Sequence, residues 1–340
     1  MKYNLFCVNT EYHFLLSLSI VHERFFDNGY KNIFLLLEGT TGRLNNIMDS
    51  GQYPFLEIIR ITESQPDLKA VLNTIAKQEY SYLFHFYEFN VITAYLRTRI
   101  NKSCIKVYGE DGTAIYQRYD KLALGSRTRQ TINDYKKAFK LNIVSAGIRF
   151  QNLVHGQSGY IDELWLTHPE LYLSLYKTKK RVEKINLLAT PEMLQFAKSF
   201  FSKTRSDIQY DNTVFFLGRT SYSPEYLTEE VKLIRELRDK FADKAFYIKI
   251  HPLTKAAQKE EYSNIEGIEI ITENLPAEIL LAQLTNAVII GVDSTALFYK
   301  NEDCTNYALY KYLQEKGVYP SYREIPFPSH VQFYNDSIIG

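Results

Sequence analysis

Cysteine is scarce in this chain. Cys7, Cys104 and Cys304 are spread over 340 residues, an odd number without paired spacing. They read as buried free thiols in a reducing compartment, and a disulfide framework is excluded. Charge of one sign is also missing: 40 Lys and Arg stand against 39 Asp and Glu, leaving a net charge of +1. No global field therefore draws in nucleic acid or an anionic surface, and any anionic ligand must be caught by a local site. Long apolar runs are lacking too. In "MKYNLFCVNTEYHFLLSLSIVHERF" polar residues break the run from Asn9 to His13, and nowhere do about 18 apolar residues follow one another, so neither a signal segment nor a membrane span is expected. The chain reads as cytosolic, at most peripheral to a membrane. It has no internal repeat, low-complexity tract or heptad run, no Asp-x-Asp sequence and no His/Cys cluster of the kind that ligates a metal.

What is present is aromatic and alternating. With 27 Tyr, 21 Phe and one Trp, aromatics make up 14% of the chain. Such surfaces stack on sugars, although an AT-rich genome gives the same excess and is the plainer reading. The length exceeds what single cores usually reach, so two domains of about 150 to 190 residues are expected. Short apolar runs predict strands at Tyr3–Val8, Asn32–Leu37, Leu56–Ile61, Tyr82–Phe86, Ile105–Tyr108 and Glu163–Leu166, and a second series at Thr213–Gly218, Ala245–Pro252, Ile268–Thr272, Ala287–Gly291 and Thr305–Leu309. Helical patterns such as "PDLKAVLNTIAKQEY" separate most of them, the mark of parallel α/β sheets. The charged stretch "KTKKRVEKINLLATPEM" is the expected boundary, giving domains 1–188 and 189–340. Two such domains would face a central cleft, with the chemistry in strand-to-helix loops.

Five stretches could carry that chemistry. "GEDGT" places Glu110 and Asp111 before Gly112, either as a surface turn or as a base near substrate. "FYIKIHPLT" ends a strand at His251 and Pro252; proline restrains the histidine, which can then hydrogen-bond a phosphate oxygen, though "WLTHPELY" repeats the dipeptide at His168 and the structural reading is common. "VIIGVDSTALFY" sets Gly291, Asp293, Ser294 and Thr295 at a strand end, an anion site or a plain N-cap. "LPAEILL" puts Pro276 at a helix start with Glu278 in its first turn, to offset the helix dipole or to hold ribose hydroxyls. In "VFFLGRTSYSPEYL", Gly218 ends a strand, and Ser223, Pro224 and Glu225 fit N-cap, N1 and N2 of the next helix.

In order and spacing, "GEDGT", "KIHP" and "DST", with "LPAEILL" between the last two, resemble the motifs of bacterial sialyltransferases. The chain looks nearest to glycosyltransferase family 52, with features of the capsular polysialyltransferases. The resemblance implies a GT-B fold of two Rossmann-like domains, an N-terminal acceptor side and a C-terminal nucleotide-sugar side. It implies inverting transfer of sialic acid from CMP-sialic acid to a galactose or sialic acid hydroxyl of a bacterial surface glycan, lipooligosaccharide or capsule, without a metal or other cofactor. Carried over by matching position, His251 acts on the leaving phosphate, Ser294 and Thr295 bind it, Glu278 holds the ribose, and Gly218, Lys249 and Pro252 line the nucleotide pocket. Asp111 is the first choice for the base, with Glu110 and the "SPE" acid Glu225 as alternatives. The expected partners are a nucleotide-sugar donor and a glycan acceptor, with no nucleic acid; the expected place is the cytoplasm, at most the inner face of the cell membrane. Alternatives are a GT-B transferase using another activated sugar, or a noncatalytic nucleotide-sugar or glycan-binding module. Oligomeric state is not legible.

Overall fold

Parallel strands need crossover connections, which is why buried apolar runs alternate with helices. The computed structural model describes residues 2–26, 28–38, 44–48, 53–88, 90–116, 124–148, 155–201, 210–220, 223–272, 275–320 and 324–334. Two units divide the chain, Met1–Ser202 and Lys203–Gly340.

The first unit runs β1 (Lys2–Val8), α1 (Glu11–Ile20), β2 (Tyr30–Glu38), β3 (Leu56–Thr62), α2 (Leu68–Ala76), β4 (Tyr80–His85), α3 (Val91–Arg97), β5 (Ile105–Gly109), α4 (Leu124–Lys140), β6 (Glu163–Leu166), α5 (Pro169–Leu175), β7 (Arg181–Lys184) and α6 (Pro191–Lys198). Its seven strands lie in the order β3-β2-β1-β4-β5-β6-β7, and every pairing is parallel. Side chains alternate across a strand, so the sheet has two different faces. Leu5, Cys7, Leu35 and Leu83 join the aliphatic core with residues of α2 and α3. Phe6, between them in sequence, faces the other way, stacked on Phe84 at 4.4 Å and tilted against Phe34 at 4.9 Å. Phe14 of α1 meets Phe34 on that aromatic face and is met in turn by Phe200 and Phe201. Much of the aromatic excess is thus core.

That packing also places α6. Thr190 caps it, its side chain accepting from the Met193 N–H, with Pro191 at the first turn as the sequence suggested. Its Phe196 packs on Phe26, Tyr53 and Phe55. The helix lies within the first unit, so the division falls 14 residues beyond the expected 188/189 boundary (202 against 188). A charged stretch looked like a linker, but Arg181–Lys184 within it is the edge strand β7, paired to β6. Exposed edge strands tolerate charge on both faces, which hides them from an apolar-run reading.

The second unit runs β8 (Tyr210–Asp211), β9 (Thr213–Leu217), α7 (Pro224–Lys240), β10 (Ala245–Lys249), α8 (Ala256–Ser263), β11 (Ile268–Ile271), α9 (Ala277–Leu281), β12 (Leu284–Thr285), β13 (Ala287–Gly291), β14 (Cys304–Ala308), α10 (Tyr310–Glu315) and β15 (Val331–Phe333). Six strands order as β11-β10-β9-β13-β14-β15, and β12 pairs β8 separately. All eleven expected strands form, within two residues of the expected ends except at Ala245–Pro252, where β10 stops at Lys249. The short β8, β12 and β15 carried no apolar run long enough to read. Among the described residues no helix is long and apolar enough to cross a membrane. All three cysteines are free, Cys7 and Cys104 buried and Cys304 half-buried.

Candidate active site

Ligands of open parallel sheets bind outside the carboxyl ends of the strands, where the strand order reverses. In the first unit that point lies between β1 and β4. The loops leaving β1, β4, β5 and β6 open on the same edge, and they carry the groups that matter.

Glu110 follows β5 and is 1% exposed. Its carboxylate accepts from the hydroxyls of Tyr12 and Tyr116, the latter at 2.5 Å. It also accepts from the Thr167 backbone N–H at 2.8 Å and from the Thr167 hydroxyl at 2.8 and 3.0 Å. Burial first, and the neighbouring Glu110 charge second, push the Tyr116 phenol well above its ordinary range, so it stays a donor. Glu110 thus ties the loops after β1, β5 and β6 together, and both of its oxygens are engaged by donors of this chain.

Asp111, one residue on, is in a different setting. Gly112 turns the chain at φ +56°, a conformation that L side chains disfavour. The Asp111 side chain is 28% exposed and its Oδ1 lies 2.9 Å from Nε2 of His13, itself 2% exposed. A carboxylate only accepts, so Nε2 carries the proton. His13 sits in the first turn of α1, where its N–H donates to the Thr10 N-cap at 3.2 Å, and its ring stacks on Phe86 at 5.0 Å. Phe86 in turn needs Gly109: a Cβ there would stand 2.4 Å from its ring. His13 Nδ1 is buried without a hydrogen-bond partner among the described residues. Where an imidazole does the chemistry it faces the substrate and its carboxylate lies behind. Here the order is reversed, with the acid outward and the imidazole behind it.

Two further histidines of this unit are kept neutral. Burial drives His85 down to about 3 and lowers His155, whose Nδ1 is 3.2 Å from the Tyr108 hydroxyl. The second His-Pro histidine, His168, takes the N-cap position of α5, with its ring 3.1 Å from Glu170, in a structural role.

The second unit repeats the plan, with its reversal between β9 and β13. Gly218 leaves β9, donating its N–H to the carbonyl of buried Lys249 at 2.9 Å. The next residue, Arg219, pairs with Asp293 from the loop after β13, and Tyr319 donates to the other Asp293 oxygen at 2.7 Å. Asp293 is therefore committed to that bridge, and Ser294 does the capping: its Oγ accepts from the Ala296 N–H at 3.3 Å and opens the 3₁₀ turn Thr295–Phe298. His251, after β10, accepts the Leu253 backbone N–H on Nδ1 at 3.1 Å, with the Thr220 hydroxyl 3.3 Å from the same nitrogen. A backbone N–H can only donate, so a neutral ring carries its proton on Nε2. Pro252 is exposed, and Glu278 is buried in the first turn of α9.

Glu225 stands apart. It is exposed at the second position of α7, whose N-cap Ser223 accepts from the Tyr226 N–H at 3.2 Å. Hydrogen bonding to Ser223 first, and to its own backbone N–H second, holds the Glu225 carboxyl below its ordinary range. That is the setting of a capping acid. Sequence reading missed Tyr12, His13, Tyr116, Thr167, Arg219 and Thr220. The available signals were Thr10, an N-cap residue directly after the first strand, and Arg219 directly after the strand-ending glycine. Among the described residues no group of three or more His, Cys, Asp or Glu is placed to hold a metal.

Comparison with known proteins gives the context. The alpha-2,8-polysialyltransferase (POLYST) family matches residues 4–305. No curated protein sequence matches the chain. Among solved structures it is similar to the GT-B domain of a sialyltransferase from Photobacterium damselae, with a TM-score of 0.53 at 11% identity over 98% of this chain and 100% of that one. It is also similar to the S. aureus MnaA–UDP structure, with a TM-score of 0.52 at 12% identity over 94% and 84%. The fold is of the GT-B type, built from two Rossmann-like units with parallel sheets.

Proposed function

Since the chain belongs to the alpha-2,8-polysialyltransferase family, and is thereby a member of a glycosyltransferase family, we propose that it moves sialic acid from CMP-sialic acid to a galactose or sialic acid hydroxyl of a bacterial surface glycan, with inversion and without a metal. In this reading the acceptor oxygen attacks the anomeric carbon as the bond from that carbon to the CMP phosphate oxygen breaks, and CMP leaves with the electron pair. Asp111 takes the acceptor proton. His251 gives its Nε2 proton to the departing phosphate, which Ser294 and Thr295 bind. Glu278 holds the ribose, and Gly218, Lys249 and Pro252 line the nucleotide pocket.

The observation that supports this most is the contrast within "GEDGT". Glu110 is consumed by Tyr12, Tyr116 and Thr167, whereas Asp111 is 28% exposed and backed by a buried imidazole. A panel of activated sugars, run with and without EDTA on galactose- and sialic acid-terminated acceptors, tests the reading. CMP release and transfer from CMP-sialic acid alone, undiminished by EDTA, is expected. Turnover of a different donor moves the reading to another GT-B transferase, and donor binding without turnover moves it to a binding module.

A further inference from the structure

Helix α4 packs against α3 beside the aliphatic core of the first unit, and from Thr128 to Lys140 its side chains divide by direction. Ala138 is in the core, and Asp134, the one acid in that stretch, is buried and accepts from Gln130 at 3.1 Å. On the outer side Ile132 is 49% exposed, Phe139 81%, and Tyr135 43% with its hydroxyl donating to the Ile148 carbonyl at 2.9 Å. Positions i, i+3 and i+7 fall on one stripe of a helix. Single exposed apolar residues need no explanation, but an aligned stripe of three does. Along one flank, roughly 40 to 80° around the axis from Ile132 at 3.6 residues per turn, come Arg129, Lys136 and Lys140, all exposed. Lys137 is turned away to Glu63 at 2.5 Å. Among the described side chains of α4 the outward face is thus apolar and cationic and holds no acid.

We propose that this face of α4 docks on an anionic phospholipid bilayer, with Phe139 and Ile132 entering the boundary of the acyl chains and Arg129, Lys136 and Lys140 meeting the headgroup phosphates. Charge complementarity favours this occupant. A second copy of the chain seated by two-fold symmetry would set the same three cations against one another. Nucleic acid would satisfy the cations and leave aliphatic Ile132 without a use. The overall charge of +1 makes the contact local to α4, and it does not depend on which sugar is transferred.

Vesicle flotation of the full chain tests the inference. Wild type should float with phosphatidylglycerol–phosphatidylcholine vesicles and bind pure phosphatidylcholine vesicles at least about tenfold less well. The exposed double change Ile132→Ser with Phe139→Ser should weaken binding roughly tenfold or more. Glutamine at Arg129, Lys136 and Lys140 should weaken it by about fivefold for each charge removed. Glutamine at Lys232 and Lys259, exposed in the second unit, should leave it unchanged. Circular dichroism confirms that each variant folds. The proposal is overturned if wild type does not float, if the α4 variants float like wild type, or if the control changes weaken binding equally. It is also overturned if sedimentation shows a dimer that the Phe139→Ser change dissolves without touching vesicle binding, or if the face retains a single-stranded oligonucleotide more tightly than vesicles.

Discussion

A carboxylate that serves as a base must meet its substrate with an oxygen to spare, and the two acids after β5 differ on that point. Asp111→Asn should lower transfer by about 10²- to 10⁴-fold, while CMP binding and the melting temperature stay near wild type. Glu110→Gln should do the reverse in kind. An amide placed among the donors Tyr12, Tyr116 and Thr167 leaves buried groups mismatched and costs about 1–3 kcal/mol of stability, read by thermal unfolding. Full turnover in the first variant and none in a well-folded second would exchange the two roles. In the proposed reaction His13 acts through Asp111 as a positioning residue. His13→Phe should cut turnover roughly tenfold or more, the worth of a hydrogen bond to a charged group, without changing donor KM; His13→Gln, which keeps an N–H near the Nε2 position, should restore part of it. The groups around this pair are Tyr87 and His155, both coupled to the Asp111 charge, and Glu110 beside it. A well-folded His13→Phe protein with full turnover would break the proposed link.

At the scale of elements, Glu230 pins α7 to α8. Its carboxyl accepts from Tyr226 at 2.9 Å, Tyr262 at 2.6 Å and Gln258 at 3.2 Å, and Gln258 also donates to the Arg219 carbonyl at 2.7 Å. The network therefore supports the loop that carries Arg219 and Thr220. Burial outweighs these donors and lifts Glu230 to about 7. Unfolded, the carboxyl loses its proton near its ordinary value; folded, it keeps it to about 7. Across that window the folded state binds the extra proton, so stability falls as pH rises, at about 1.4 kcal/mol per pH unit. With the intrinsic base-catalysed rise in exchange divided out, the protection of the α7 and α8 amides should fall on going from about pH 5 to about pH 8 in wild type and much less in Glu230→Gln; equal pH dependence of protection would remove Glu230 from the account. Elements of this kind were legible in the sequence because buried parallel strands are uniformly apolar, as in "NLFCV" and "AVIIG". The pairings were not: His13 and Asp111 are 98 residues apart, and neither side chain announces which neighbour the sheet order will give it. His251 was readable as a candidate because Pro252 marks it, but its proton position depends on the Leu253 N–H, which only the folded turn supplies.

For the whole molecule, the division after Ser202 rests on aromatic packing that a linker reading overlooks. A fragment of residues 1–188 loses Phe196, Phe200 and Phe201, and Phe14 then loses two of its three ring neighbours. Each large aromatic removed from a core costs about 3–5 kcal/mol, so residues 1–202 should fold and residues 1–188 should aggregate or melt far lower, compared by circular dichroism. Equal melting temperatures would restore the earlier boundary. The three thiols have a practical bearing as well. Burial pushes Cys7 and Cys104 to about 12 and Cys304 to about 11, so at neutral pH roughly one thiol in ten thousand or fewer is ionised. Toward maleimides the native chain is close to a cysteine-free background. A single cysteine introduced at Ile132, on the exposed stripe of α4, would take a fluorophore selectively, and its emission would report the polarity of whatever surface that helix meets.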